Sequence, residues 1–136
     1  MSRLSTLSRS IDGKVAIVTG AASGMGRATA HLFSDEGARV VVADLGADRV
    51  AAVVDEIREA HGVERALGIE CDVADHAQLR RMVEATVQQF GRLDIVVNNA
   101  GVSLINSAFQ PEDEFEANWA TTLDINLTAH ARLIRL

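Results

Sequence analysis

The 136-residue sequence contains no tyrosine, one lysine, one cysteine and one proline, and each scarcity removes a class of chemistry. Without tyrosine no phenol can give or take a proton, and the only amine side chain, Lys14, stands at the head of an apolar run. A single cysteine, Cys71, cannot form an intrachain disulfide, which makes the cytoplasm the expected compartment and a small buried apolar role the expected use. No stretch approaches the roughly 20 apolar residues of a membrane-spanning helix, so no membrane partner is expected. Thirteen basic residues against 19 acidic ones give a formal charge of -6, which argues against a nucleic-acid surface. Any phosphate bound here must therefore be held mostly by backbone N–H groups. His31, His61, His76 and His130 are scattered without ligand spacing, so no metal is expected.

What is present reads as a repeating unit of strand and helix. Lys14 to Thr19 is a short β-branched run that stops at a glycine, as suits a strand buried on both faces of a parallel sheet. Arg39 to Ala43, Ala66 to Cys71 and Asp94 to Val97 have the same character. Between them the period turns helical. Met25, Ala28, Leu32 and Phe33 form one stripe, Val50, Val53, Val54 and Ile57 a second, and Leu79, Met82, Val83, Val87 and Phe90 a third. Gly37, Gly62 and Gly91 fall where helices should stop, and Asp75 with Gln78 resembles a capping box. Residues 1–11 are expected to be a disordered arm and 12–136 one domain. Short connections and right-handed crossovers then imply an α/β fold, a doubly wound parallel sheet of Rossmann type with strand order 3-2-1-4.

Beyond the fourth strand, Pro111 and the acidic Glu112, Asp113 and Glu114 fit the first turn of a last helix. Its stripe of Phe115, Trp119, Leu123, Leu127, His130 and Ile134 runs on with no closing signal, which predicts a sheet truncated before its C-terminal strands.

The most informative segment is Thr19-Gly20-Ala21-Ala22-Ser23-Gly24-Met25-Gly26, between the first strand and first helix. There a pyrophosphate would meet a helix N-terminus, with its dipole and free N–H groups. Gly20 allows the tight exit from the strand, Gly24 lets the backbone approach the phosphates, and Gly26 lets the helix pack closely. No Lys-Ser or Lys-Thr follows, which excludes a Walker A loop. Asp44 closes the second strand, where a carboxylate can accept hydrogen bonds from ribose hydroxyls. A 2'-phosphate would meet that carboxylate as a like charge, so NAD rather than NADP is the expected cofactor.

These residues resemble the short-chain dehydrogenase/reductase family, whose glycine motif TGxxxGxG matches Thr19 to Gly26 and whose second signature matches Asn98-Asn99-Ala100-Gly101. The resemblance covers the chain from about Asp12 onward and implies an oxidoreductase that interconverts an alcohol and a ketone. It places Gly20, Ser23, Gly24, Met25 and Gly26 around the phosphates, and Asp44 and Leu45 at the adenosine ribose. Cys71, Asp72 and Val73 would form the adenine site, with the Asp72 carboxylate on the amino group. Asn98 to Gly101, with Asn98, Ala100 and Gly101 foremost, would line the ribose side, and Asn98 would also tie the fourth strand to its neighbours. Asn126, within Asp124-Ile125-Asn126-Leu127, matches the asparagine that holds a water in the family's proton relay.

The resemblance also says what to look for and not find. Relatives use a serine and a Tyr-x-x-x-Lys placed beyond the position matching Asn126, and no such residues follow it here. The chain is therefore expected to be an inactive part of such an enzyme, the alternative being a non-catalytic NAD-binding or dimerisation module. His130, one helical turn after Asn126, is expected to pack rather than act as an acid. In relatives the last helix builds a subunit interface, so a homo-oligomer is expected.

Overall fold

The computed structural model describes residues 8–104 and 107–136. The first seven residues of the expected arm lie outside the described residues; Ser8 to Ser10 are exposed, whereas Ile11 packs against the core. The elements are β1 (Val15–Thr19), α1 (Gly24–Asp35), β2 (Arg39–Asp44), α2 (Ala47–His61), β3 (Ala66–Glu70), α3 (His76–Phe90), β4 (Ile95–Val97), α4 (Glu112–Leu123) and α5 (Ala129–Ile134). A π-helical turn, Asp124–Thr128, joins α4 to α5 in one continuous rod. All strand pairs are parallel in the order β3-β2-β1-β4, the arrangement read from the sequence.

Side chains of a strand alternate between its two faces, and that period divides the core into two. Val18, Val40 and Val42 pack with Ala30, Val50, Val53, Val54 and Ile57 on the side of α1 and α2. Ile17, Val41 and Ala43 pack with Leu79, Met82 and Leu133 on the side of α3 and α5. All five residues of β1 are buried, because both faces are covered and both edges are paired. β4 is only half-buried and forms an edge of the sheet.

The α2 stripe is buried as read, and the other three depart from their readings at particular residues. In α1 the buried residues are Gly26, Ala30 and Ser34, while Met25 and Leu32 are exposed. This helix approaches the sheet closely at Gly26, so its fully buried positions are small, with Phe33 of the expected stripe packed at the margin of the core. In α3, Thr86 takes the inner position expected for Val87, its hydroxyl satisfied by the Met82 carbonyl. In the last rod Ala129 and Leu133 face inward, and Trp119, Leu123, Leu127 and Ile134 remain open. The capping arrangement of α3 also differs in its return arm. Asp75 accepts from the Ala77 and Gln78 N–H groups, but the Gln78 side-chain oxygen receives the Asp72 N–H instead of Asp75's own.

Strand β1 is anchored at its start by Asp94. Its carboxylate accepts the Val15 N–H at 2.9 Å and its own N–H reaches the Val15 carbonyl. The Arg92 guanidinium, and then this backbone bond, hold the Asp94 carboxyl below the usual carboxylate range. A lowered folded-state pKa adds stability above the unfolded value of about 3.9, and that stability is lost as pH falls through the folded value. Thermal melts should therefore show Asp94→Asn less stable than the parent near neutrality, with the gap closing below about pH 4. An unchanged gap at low pH would contradict this account of Asp94.

Candidate functional site

At the C-terminal ends of the parallel strands lies a cleft of about 330 Å3. Its walls bring together Gly20, Ser23, Gly24 and Met25 from the glycine turn, Asp44 and Leu45 from the end of β2, and Cys71, Asp72 and Val73 from the loop after β3. Asn99, Ala100, Gly101 and Val102 from the loop after β4 complete it, with Ile125 from the π turn. Residues more than 100 positions apart in the chain thus meet at one point, because parallel strands all end on the same side of the sheet.

The glycine turn is held open by hydrogen bonds that leave its tip free. The Ala21 N–H bonds to the Ala43 carbonyl and the Ala22 N–H to Asp44 Oδ2 at 2.9 Å, which ties the turn to β2. Ser23 stands at the N-cap of α1 in extended backbone, and its side chain makes no capping bond. The first-turn donors of that helix are consequently available to an anion. Gly24 has φ +53° with open space where a Cβ would stand. Gly26, which the resemblance grouped with the phosphate residues, is not on the wall but buried beneath it, in the close-packing role read from the glycine spacing. A Cβ there would approach the Gly20 carbonyl oxygen to 2.1 Å.

The floor of the cleft depends on Thr19, which the motif contained but to which no role had been given. Its hydroxyl donates to the Val97 carbonyl at 3.3 Å and accepts the Asn99 and Ala100 N–H groups at 3.1 and 3.0 Å. One donor and two lone pairs are thereby all used. Thr19→Val should lower stability by about 2 kcal/mol, since two N–H groups and a carbonyl lose their partner, while Thr19→Ser should recover most of it. Urea midpoints that match across the three proteins would show that the hydroxyl is not the link.

The tie between β4 and its neighbour is made by Asn99, not by Asn98. Asn99 Nδ2 donates to the Thr19 carbonyl at 2.9 Å and the Gly20 carbonyl at 3.2 Å. Of the stretch expected to line the cleft, Asn99, Ala100 and Gly101 stand on the wall and Asn98 does not. The signal for it was in the sequence, as the second of two adjacent asparagines, but only the bend after β4 decides which of the two turns inward.

Asp44 is mostly buried and does two structural jobs, since Oδ1 also accepts the Leu45 N–H at 2.7 Å. Each oxygen retains a lone pair for a hydroxyl donor. Asp72 is fixed at both ends: its N–H donates to Gln78, and Oδ1 accepts the Ala74 N–H, leaving Oδ2 for a ligand. The capping of α3 belongs to Asp75, so Asp72 is not needed there. Cys71 is buried, and desolvation, followed by the nearby Asp72 and Asp75 charges, pushes its thiol up to about 11. It stays a neutral thiol at physiological pH and is no nucleophile.

Asn126 clips the loop after β4. Its Oδ1 accepts the Val102 N–H at 2.8 Å and its Nδ2 donates to the Val102 carbonyl at 2.7 Å. Both arms of the amide are occupied, so the side chain braces the cleft wall rather than standing free in the cleft. His130 packs one turn further on, its Nε2 3.4 Å from the Ala100 carbonyl oxygen. Among the described residues no three His, Cys, Asp or Glu side chains are grouped to hold a metal, and no helix is long and apolar enough to cross a membrane.

The profile of the short chain dehydrogenases matches residues 14–136. The (2S)-[(R)-hydroxy(phenyl)methyl]succinyl-CoA dehydrogenase subunit of Thauera aromatica is 43% identical over 117 residues, 86% of this chain and 45% of the relative. The Homo sapiens 15-hydroxyprostaglandin dehydrogenase, whose name specifies NAD(+), is 42% identical over 119 residues, 88% of this chain and 41% of that enzyme. A short chain dehydrogenase/reductase of Burkholderia phymatum, solved in complex with NAD, superposes with a TM-score of 0.83 at 32% identity, over 93% of this chain and 43% of that one. The chain spans less than half the length of each. With a matching profile over almost its whole length and a solved member that superposes over 93% of it, the chain belongs to the short chain dehydrogenase family.

Proposed function

We propose that this chain is the NAD(H)-binding part of an oxidoreductase that interconverts an alcohol and a ketone. The carrying observation is a single cleft that runs from the uncapped start of α1 to the carboxylates of Asp44 and Asp72. The two ends fit the two ends of an adenine dinucleotide's binding half. Backbone N–H groups of Ser23, Gly24 and Met25 would hold the pyrophosphate, and Asp44 with the Leu45 backbone would hold the ribose. Cys71 to Val73 would frame the adenine, and Ala100 and Gly101 would line the ribose side. Open space above Gly24 is what a closely approaching phosphate requires. When bound, the nicotinamide supplies the hydride acceptor or donor.

The chain's own residues bind and orient in this reading, and none serves as proton donor. Its 136 residues include no tyrosine, and Lys14 precedes β1, at the end of the sheet opposite the cleft. The purified chain is accordingly proposed to turn over no alcohol by itself, and steady oxidation of any alcohol with NAD would overturn that. Asn126 acts here as a brace on Val102, through which the position of any relay water is set. The open apolar side of α4 and α5 is proposed as the contact between copies, in the cytoplasm.

The cofactor is the part most directly tested. Calorimetric titration should give NADH an affinity at least about tenfold above NADPH, because the 2'-phosphate meets the Asp44 carboxylate. Equal affinities would refute the proposed role of Asp44, and an absence of binding would refute the cleft.

A further inference from the structure

The loop after β3 is braced by a helix 58 positions further along the chain. Leu133 of α5 is buried in the same cluster as Cys71, and Val73 packs against that cluster. Beside it the half-buried Arg132 donates from Nη1 to the Ala74 carbonyl at 3.3 Å. Ile134, two positions on, is exposed on the open side of the rod, so Arg132 lies on the other flank, away from the proposed contact between copies. Ala74 is in turn a link to the cleft. Its N–H donates to Asp72 Oδ1 at 2.9 Å while its carbonyl serves Arg132. The Asp72 N–H goes to Gln78 of α3, and the Asp72 carbonyl takes the Asp75 N–H. One end of this turn is therefore tied to α3 and the other to α5. Asp72 Oδ2, the oxygen left for a ligand, points where the Ala74 N–H lets Oδ1 be held.

We infer that Arg132 is a positioning residue for adenine recognition: by anchoring Ala74 it sets the orientation of the Asp72 carboxylate, and with it the acceptor offered to the adenine amino group. This rests on the cofactor reading above. An ionised carboxylate only accepts hydrogen bonds, and an amino group donates them. A base with a carbonyl at that position brings a second acceptor and gains nothing from Oδ2. Selection between the two bases depends on angle as well as distance, because a hydrogen bond weakens steeply as it bends. Arg132 touches no ligand in this account. Without it Ala74 keeps its bond to Asp72 and loses its anchor on α5, so the carboxylate is less well aimed while the sheet and its helices stay in place.

The test compares the parent chain with Arg132→Met and Arg132→Lys by calorimetry. The ligands are NADH and reduced nicotinamide hypoxanthine dinucleotide, which carries a carbonyl in place of the adenine amino group. The parent is expected to favour NADH at least about tenfold, the worth of one hydrogen bond to a charged group. Arg132→Met should bring that ratio to about threefold or below, chiefly through lost NADH affinity, since what is removed upstream is one hydrogen bond. Arg132→Lys, which keeps a donor for the carbonyl, should recover part of it. Should Arg132→Met not fold, Arg132→Gln, which removes the charge and shortens the reach of the donor, takes its place. A merely structural arginine would weaken both dinucleotides by one factor. An unchanged ratio in the variant, beside a parent that prefers NADH, therefore overturns the role of Arg132 and leaves the cofactor reading standing. Equal binding of the two by the parent overturns the adenine reading of Asp72 together with the role of Arg132. If the parent binds neither, the cofactor reading falls as well.

Discussion

Gly26→Ala is expected to destabilise the protein by about 3 kcal/mol or more, although alanine is the better helix former by about 1 kcal/mol. The new Cβ would lie 2.1 Å from the Gly20 carbonyl oxygen, 2.7 Å from its carbon and 2.6 Å from Asn99 Nδ2. Two of those atoms are backbone and cannot swing aside, so α1 must move off the sheet. Its buried face of Ala30 and Ser34 would move with it. Gly24→Ala is the control, because a Cβ there meets open space and the cost is only the strain of φ +53°, about 1 to 2 kcal/mol. Urea unfolding of the three proteins would separate the two glycines. A Gly26→Ala midpoint at or above the parent's would mean that the helix does not rest on the turn in the way the structure shows.

The second large effect is at Asp44, where structure and the proposed cofactor recognition share one carboxylate. Asp44→Ala removes the acceptor of the Ala22 and Leu45 N–H groups and, in the proposed function, of the ribose hydroxyls. A hydrogen bond to a charged group contributes about 1.5 to 3 kcal/mol, so NADH affinity should fall about ten- to a hundredfold. NADPH should lose far less, since the repulsion disappears together with the acceptor, and the preference should collapse. Asp44→Asn is the informative companion, because its single amide oxygen can serve one of the two N–H groups while the charge is gone. It should melt closer to the parent than Asp44→Ala yet show a similarly reduced preference. Retention of the parent's NADH to NADPH ratio in both variants would remove Asp44 from cofactor selection.

The places where sequence reading failed share a cause. Periodicity located α1, but its large apolar residues Met25 and Leu32 face outward, and the buried ones are glycine, alanine and serine. Hydrophobic size predicts the inner face only where the helix stands at ordinary distance from the sheet, as α2 does with its three valines and Ile57. Where the backbone itself approaches, small size governs. Thr86 and Val87 exchanged places for a related reason, since a helical hydroxyl can bond the carbonyl four residues earlier and so enter a core without an unmet donor.

Much of the site was nonetheless legible, because its residues sit beside glycines or at strand ends that the chain marks locally. The role of Thr19 and the tie made by Asn99 were not, for they consist of bonds between residues about 80 positions apart. By itself, the sequence determined the alternation of strand and helix, the strand order, the position of the glycine turn and the absence of a phenol. Those follow from side-chain period, backbone-permissive glycines and composition, all of which act over a few residues. Only tertiary structure decided which asparagine ties β4 to β1 and that Asn126 is committed to Val102. Each of these is a choice between neighbouring side chains or rotamers of similar local energy, and it is settled by whichever distant backbone group happens to lie within hydrogen-bonding reach.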